Sequence, residues 1–221
     1  IETALVNSTQ IKVISAGGWK VGDYLVIAPS YSGENNSNNT DKSISGNIIS
    51  FTPALVINIT DQQQLQYKIA MLLDTRSAVG LLTRNIKISP GPDPDNWGCR
   101  VLVYGYNEIS DDLSIPPTGE MDMLNLGSID REIGQYDTTL AALRIENIGS
   151  KTASPNLIKT EVENSAIHGC GGFCTFIKQV SNVHINNNVY FYALKFIVYV
   201  EEVLSLYNFT NNLLVGARKR D

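Results

Sequence analysis

Histidine, cysteine and charged residues are all scarce in this chain, and each scarcity removes a class of protein. Two histidines and three cysteines among 221 residues give no spacing typical of a zinc site, so no metal is expected. Charged residues make up 18% and the net charge is −5, which argues against a nucleic-acid partner. The basic run Arg218-Lys219-Arg220 is interpreted as a solvated edge.

The chain also lacks the marks of a targeting or membrane segment. It opens on Ile1-Glu2-Thr3, with neither an initiator Met nor a basic stretch, so a signal peptide is not expected here. The longest apolar run, residues 189–200, is interrupted by Lys195 and is shorter than the ~20 residues that span a bilayer. We therefore expect a piece of a larger polypeptide that meets a membrane only through segments outside it.

What the sequence does contain is a repeat of 23 to 24 residues between Val162 and Ala217. Its columns are Val162, Ile185 and Phe209; Asn164, Asn187 and Asn211; and Ile167, Tyr190 and Leu214. We expect Ile167 and Leu214, in register with Tyr190, to point into the stack. The β-branched and aromatic runs predict strands, and such a period is typical of a solenoid. We predict an all-β protein with a parallel β-helix over residues 76–221, in which the asparagine column stacks on one corner. The alternative is an ordinary sandwich in which asparagines only mark turns.

Residues 1–75 are predicted to form a smaller β-strand region that leads into the helix. Within it, residues 29–46 are rich in Ser, Asn and Gly and are expected to form an exposed loop. Residues 107–137 are acidic and include Pro116-Pro117, which predicts a long excursion from one coil. Whether that excursion binds calcium stays open.

Several segments resemble fibrocystin-L and its relatives, the cell-migration-inducing and transmembrane hyaluronidases. The matching segments are residues 19–28 (WKVGDYLVIA), 65–68 (LQYK), 76–88 (RSAVGLLTRNIKI), 97–103 (WGCRVLV) and 163–168 (ENSAIH). The resemblance implies a right-handed parallel β-helix that follows a glycine-rich domain, in a protein of the cell or ciliary surface. The hyaluronidase relatives carry a histidine-rich segment where residues 147–156 of this chain have no histidine. We therefore lean towards a protein without enzymatic activity, and we expect no catalytic residue and no cofactor.

Cysteines and glycosylation motifs fit an extracellular setting. Cys170 and Cys174 are close enough to form a disulfide, while Cys99 is left either buried or linked to a missing part of the chain. Predicted N-glycosylation sites follow the N-x-S/T pattern at Asn7, Asn35, Asn38, Asn58 and Asn208.

Few residues suggest chemistry. Asp122, Asp130 and Arg131 could supply acid and base groups, but a solvated loop is the favoured interpretation. The histidines, His168 and His184, have no evident nucleophilic partner. The aromatic run of residues 190–192 could stack on sugars, with at least one ring in the core.

The leading hypothesis is a non-catalytic structural or adhesive module of a larger extracellular or ciliary-surface glycoprotein. A hyaluronidase-like enzyme and a glycan-binding module are the alternatives. Expected partners are the rest of the polypeptide, other extracellular proteins, or glycans.

Overall fold

The computed structural model describes residues 4–28, 37–55, 63–65, 72–74, 77–90, 99–104, 128–129, 140–148, 160–203 and 207–217. Every regular element in these ranges is a β-strand, which confirms the predicted all-β class. None of the described segments is a helix of the length and apolarity needed to cross a membrane. The chain divides into two compact units, residues 1–83 and 84–221.

The first unit contains a five-stranded antiparallel sheet in the order β1-β4-β3-β2-β7. Its strands are β1 (Gln10–Lys12), β2 (Tyr24–Ile27), β3 (Ser37–Ser45), β4 (Ile48–Thr52) and β7 (Val79–Leu81), while β5 (Gln63–Leu65) and β6 (Leu72–Asp74) form a separate antiparallel pair. Strand β7 pairs with β2, so residues 79–81 belong to the sheet of this unit, which extends to residue 83.

A tight turn starts β2 and aims its apolar residues inward. The Asp23 carboxylate accepts a hydrogen bond from the Lys20 backbone N–H at 2.7 Å, and Gly22 has a φ of 96°, which favours glycine. Leu25 and Ile27 then lie fully buried in the core of the first unit.

The structure of residues 37–45 differs from the exposed loop that was expected there. They belong to the segment 29–46 that was expected to form an exposed loop, yet they form β3, which pairs with β2 on one side and β4 on the other. Pairing of the backbone on both edges outweighs a composition that is typical of loops. Ile44 packs against the core of the unit, which anchors this polar strand. Residues 29–36 lie outside the described residues.

The second unit consists of three parallel sheets. A five-stranded sheet has the order β19-β16-β13-β10-β8, a four-stranded sheet has the order β17-β14-β11-β9, and a three-stranded sheet has the order β12-β15-β18. We name the four-stranded sheet the aromatic sheet and the three-stranded sheet the asparagine sheet. From β10 to β19 the chain visits the five-stranded, aromatic and asparagine sheets in rotation.

The strands of this unit are short. They are β8 (Lys87–Ile88), β9 (Val101–Tyr104), β10 (Ser128–Ile129), β11 (Leu143–Ile148), β12 (Thr160–Glu163), β13 (Ala166–Cys170), β14 (Thr175–Val180), β15 (Val183–Asn186), β16 (Val189–Ala193), β17 (Val198–Glu201), β18 (Tyr207–Thr210) and β19 (Leu213–Ala217). Strand β10 lies within the predicted excursion 107–137, but its two residues pair with β8 and β13 in the five-stranded sheet. The rest of that excursion lies outside the described residues.

The columns of the repeat are neighbours in the parallel register. Val162 pairs with Ile185 and Ile185 with Phe209, while Ile167 pairs with Tyr190 and Tyr190 with Leu214. This confirms the parallel stacking of strands predicted from the 23- to 24-residue spacing.

The inward side chains of the three sheets form one apolar core. It contains Leu143, Ile145, Val162, Ile167, Ile177, Val180, Ile185 and Tyr190, all fully buried. Leu214 corrects an expectation: it was expected to point into the stack, but it is 43% exposed. Its strand, β19, ends the five-stranded sheet, so no described strand covers its outer side.

Left-handed residues recur at one end of the strands in each sheet. They are Asn164, Asn187 and Asn211 after the asparagine-sheet strands; Asn147, Gln179 and Glu202 at the aromatic sheet; and Gly169, Tyr192 and Gly216 in the five-stranded sheet. Their φ values lie between 52° and 73°. Asn and Gly tolerate this conformation best, which explains the asparagine column in the sequence.

Candidate functional site

The predicted asparagine ladder lies at the exposed corner that follows the asparagine sheet. Asn187 Nδ2 donates a hydrogen bond to Asn164 Oδ1 at 2.6 Å, and both side chains are exposed. Asn211 has the same left-handed conformation at the next corner. One position earlier, Asn186 Nδ2 donates to Glu163 Oε1 at 2.9 Å, and Thr210 Oγ1 donates to Asn186 Oδ1.

A second ladder, one residue further on, was missed from the sequence. It comprises Ser165, Asn188 and Asn212, and Asn188 is only 1% exposed. Asn188 Oδ1 accepts a bond from the Ser165 backbone N–H at 2.9 Å, and its Nδ2 donates to the Val162 carbonyl at 2.8 Å. Asn212 repeats this pattern 24 residues later, because its Oδ1 accepts from the Asn188 N–H at 3.0 Å and its Nδ2 donates to the Ile185 carbonyl at 2.7 Å. These amides satisfy buried backbone groups where the chain turns.

Cys170 ends β13 of the five-stranded sheet, whereas Cys174 and Cys99 each lie just before a strand of the aromatic sheet. Cys170 and Cys174 are joined by a disulfide, with Cα atoms 5.3 Å apart, and the loop that it closes presents Phe173. Cys99 is free and partly buried, and burial raises the pKa of its thiol, which lowers its reactivity.

The histidines lie on outward rows of two different sheets. His168 pairs with Phe191, which pairs with Val215, and His168 is half-buried. His184 lies between Glu161 and Asn208, and its Nε2 is 2.9 Å from Asn182 Oδ1. The part of the chain that the structure describes contains no group of three His, Cys, Asp or Glu side chains able to hold a metal.

The remaining predicted site residues are only partly described. Asn7 is exposed in a turn, Asn38 lies in β3, and Asn208 is half-buried in β18. The sequons at Asn35 and Asn58, and the acidic candidates Asp122, Asp130 and Arg131, lie outside the described residues.

The aromatic run of residues 190–192 is not one surface. Tyr190 is fully buried, and desolvation raises the pKa of its hydroxyl, which lies 3.4 Å from Thr175 Oγ1. Tyr192 is 39% exposed and in the left-handed conformation, which bulky residues seldom adopt. Tyr190 is thus a core residue and is excluded from any sugar platform.

A larger aromatic cluster lies on the outer side of the aromatic sheet. Ile145, Ile177 and Val200 point into the core, so the alternate residues of the same strands face outward. Phe176 pairs with Tyr199 in register, and their rings are 5.3 Å apart at an interplanar angle of 21°. Phe173 and Phe196 form a second near-parallel pair, 5.6 Å apart at 20°.

The two ring pairs contact one another and form a single platform. Phe173 lies 6.0 Å from Phe176 in an edge-to-face arrangement and 5.4 Å from Tyr199. Phe173 and Phe176 are 7% and 5% exposed, whereas Phe196 is 56% and Tyr199 is 38% exposed. Two covered rings thus support two rings that face solvent.

Charged side chains border the platform. The Arg144 guanidinium lies 4.5 Å from the centroid of Phe176, and the Lys195 ammonium lies 5.8 Å from that of Phe173. Arg144 also pairs with Glu146 at 2.6 Å, and Lys178 pairs with Glu201 at 3.1 Å. The hydrogen bond to Glu201 raises the pKa of Lys178, which therefore stays charged. We call the platform, its bordering ions and the neighbouring Leu102 and Tyr104 the aromatic face.

The aromatic face presents flat apolar rings beside paired donors and acceptors. Exposed aromatic rings on a monomeric surface mark an interaction site more often than isolated apolar residues do. The sequence signal for the platform is the 23-residue spacing of Phe173 and Phe196, which is the same spacing that relates the core residues Ile167 and Tyr190.

Comparison with known proteins gives only a distant structural likeness. Neither a protein-family model nor a curated protein sequence matches this chain. The chain is similar in structure to the Gp54 tailspike of Acinetobacter baumannii bacteriophage AP22, solved in complex with A. baumannii capsular saccharide. The two share 14% sequence identity with a TM-score of 0.30, over 86% of this chain and 32% of the tailspike chain. This chain thus spans about a third of the tailspike's length, and a likeness of this size carries no argument about its ligand.

Proposed function

We propose that this chain is a non-catalytic, glycan-binding module of a larger extracellular glycoprotein, in which the three parallel sheets form a right-handed β-helix. The observation that carries the proposal is the aromatic face, where Phe196, just before β17, and Tyr199, within β17, present exposed rings. Sugar rings have one face of C–H groups that packs on aromatic rings, and their hydroxyls bond to charged groups beside the rings. The resemblance to the fibrocystin-L family and a place at the cell surface belong to the same proposal.

Rigidity supports an adhesive role. The disulfide closes the loop that carries Phe173, and the buried ladder through Asn188 ties neighbouring coils together. A binding surface that is already ordered loses little conformational entropy when it meets its ligand.

The state of the carboxylates supports binding over catalysis. A glycosidase needs one carboxylic acid and one carboxylate on either side of the scissile bond. On the aromatic face, Glu146 and Glu201 are each held in an ion pair with a basic side chain. Carboxylates engaged in this way lie beside the rings, where their oxygens can accept hydrogen bonds from sugar hydroxyls.

A glycan array probed with the purified chain tests the proposal. We expect binding that is lost in Tyr199→Ala and kept in Tyr207→Ala, a matched control because Tyr207 is similarly exposed, at 37%, on the asparagine sheet. Size-exclusion chromatography of each bound glycan after prolonged incubation should show unchanged chain length. Absence of binding to any glycan, or shortened chains, would contradict the proposal.

A further inference from the structure

Four of the charged side chains that border the platform form two ion pairs. Arg144 is neutralised by Glu146 two residues along β11, and Lys178 of β14 by Glu201 of β17. Side-chain exposure is 18% and 13% in the first pair and 34% and 37% in the second, so both pairs are held on the sheet surface. An acidic ligand would have to compete with these glutamates for the same cations. An uncharged ligand meets no such competition.

The aromatic face runs across the strands. Leu102, Arg144, Phe176 and Tyr199 occupy one row in register over β9, β11, β14 and β17. Tyr104, Glu146, Lys178 and Glu201 form a second row beside it, two residues further along each strand. Parallel strands are ~4.8 Å apart, so each row extends about 14 Å in the stacking direction. Both rows are longer than one sugar ring.

We infer that the aromatic face binds an uncharged oligosaccharide, which lies across the strands along these two rows. This inference rests on the proposed function and specifies its ligand class. Tyr199 packs against the C–H face of the sugar ring at one end of the first row, and Phe196, 6.1 Å from Tyr199, borders the same ring. The ion pairs of Arg144 with Glu146 and of Lys178 with Glu201 offer donors and acceptors to the hydroxyls along the second row.

The rows also give each residue a distinct role. Phe176 and Phe173 are covered, so they position the exposed rings and do not themselves meet the ligand. Leu102 and Tyr104, 49% and 55% exposed, continue the surface at the other end of the rows. A ligand long enough to reach them gains contact area that a monosaccharide cannot.

Calorimetric titration with two ligand series of equal length tests the inference. The uncharged series is β-1,4-linked glucose oligomers and β-1,4-linked N-acetylglucosamine oligomers, from one to six units. The acidic series is galacturonate oligomers and hyaluronan fragments of the same lengths. We expect a member of the uncharged series to bind, with affinity that rises with chain length and changes less than about twofold between low and physiological salt. Tyr199→Ala should weaken Kd about tenfold, whereas Tyr207→Ala should leave it unchanged.

The possible outcomes separate the inference from the proposed function. Preferential binding of the acidic series, with a Kd that weakens steeply as salt is added, would overturn the uncharged ligand class and leave glycan binding standing. Equal affinity for one unit and six units would overturn the orientation along the rows. Binding to neither series would overturn the inference, while binding elsewhere on the glycan array would preserve the proposed function. Self-association in sedimentation velocity, abolished by Tyr199→Ala, would assign the face to a second copy instead. Circular dichroism melting of each variant establishes that a lost signal comes from the surface and not from unfolding.

Discussion

Asn187 donates its side-chain amide to the side-chain oxygen of Asn164 across 2.6 Å, and the two residues share nearly the same left-handed φ, 54° and 52°. The same residue type therefore serves two purposes at this corner. Asparagine tolerates the left-handed conformation that turns the chain, and its side chain bonds to the equivalent asparagine of the neighbouring repeat. Both side chains are exposed, so this bond adds little to stability on its own.

The buried ladder one residue later should matter more. We expect Asn188→Ala to lower the free energy of unfolding by about 2–4 kcal/mol, because it leaves the Ser165 N–H and the Val162 carbonyl without their buried partner. Asn187→Gly is the control, since glycine keeps the left-handed conformation, and its effect should stay below about 1 kcal/mol. Urea denaturation measures both. Equal losses in the two variants would contradict the distinction between the ladders.

The stacking of the strands could be predicted from the sequence because each repeat has to meet the same packing requirement. Ile167 and Tyr190 must occupy one column to fill the same interior, so the spacing of apolar residues is written directly into the chain. Asn164 and Asn187 were visible for the same reason, since few residue types accept a left-handed corner.

The candidate site was harder to predict because outward-facing side chains do not have to fill a shared interior. Phe173 and Phe196 have the same spacing as core residues, yet one is covered and the other is 56% exposed. Both rings lie on the outer side of the sheet. Phe173 is covered because Phe196 and Tyr199 pack on it, whereas β17 is the last strand of the sheet and no described strand covers Phe196. Asn188 was missed because its role, which is to bond backbone groups of the preceding repeat, appears only when the parallel strands are paired. Strand β3 was missed because its polar sequence is held by pairing on both edges.

A pair of aspartate substitutions tests the direction of the core side chains. Ile167→Asp places a carboxylate at a fully buried position, and we expect a loss of several kcal/mol, comparable with the whole stability of a domain. Leu214→Asp alters a position in the same column that is 43% exposed, so its effect should be below about 1 kcal/mol. Melting temperatures by circular dichroism compare the two. A larger loss at Leu214 than at Ile167 would show that the inward direction has been assigned to the wrong residue.

The disulfide should contribute stability that can be removed chemically. A crosslink between residues separated by four positions closes a short loop, for which chain entropy gives about 2 kcal/mol. We expect Cys170→Ser with Cys174→Ser to lower the free energy of unfolding by that amount, and dithiothreitol to have a similar effect on the native protein but none on the double variant. An unchanged denaturation midpoint in the double variant would show that the disulfide does not stabilise the fold.

Left-handed Tyr192 offers a substitution that should stabilise the fold. Its counterparts in the neighbouring strands are Gly169 and Gly216, and a bulky residue in this conformation costs about 1 kcal/mol. We expect Tyr192→Gly to match or exceed the stability of the native chain, by up to about 1 kcal/mol. Phe191→Gly is the control, because Phe191 has no left-handed conformation to relieve and glycine should destabilise it. If both variants lose stability equally, the conformation of Tyr192 carries no strain.

Alkaline pH should destabilise the second unit through Tyr190. Desolvation raises the pKa of its buried hydroxyl above the ordinary value of about 10. The folded protein then holds a proton that the unfolded chain releases, so stability is fully present below about pH 10 and falls as the pH rises beyond it. We expect the free energy of unfolding to decline between about pH 9.5 and 11.5, and Tyr190→Phe to make that decline shallower. Tyr24→Phe is the matched control, because Tyr24 is 55% exposed and its substitution should leave the slope unchanged. Urea denaturation at each pH measures the slopes, and identical slopes in the Tyr190→Phe variant and the native protein would show that Tyr190 does not cause the decline.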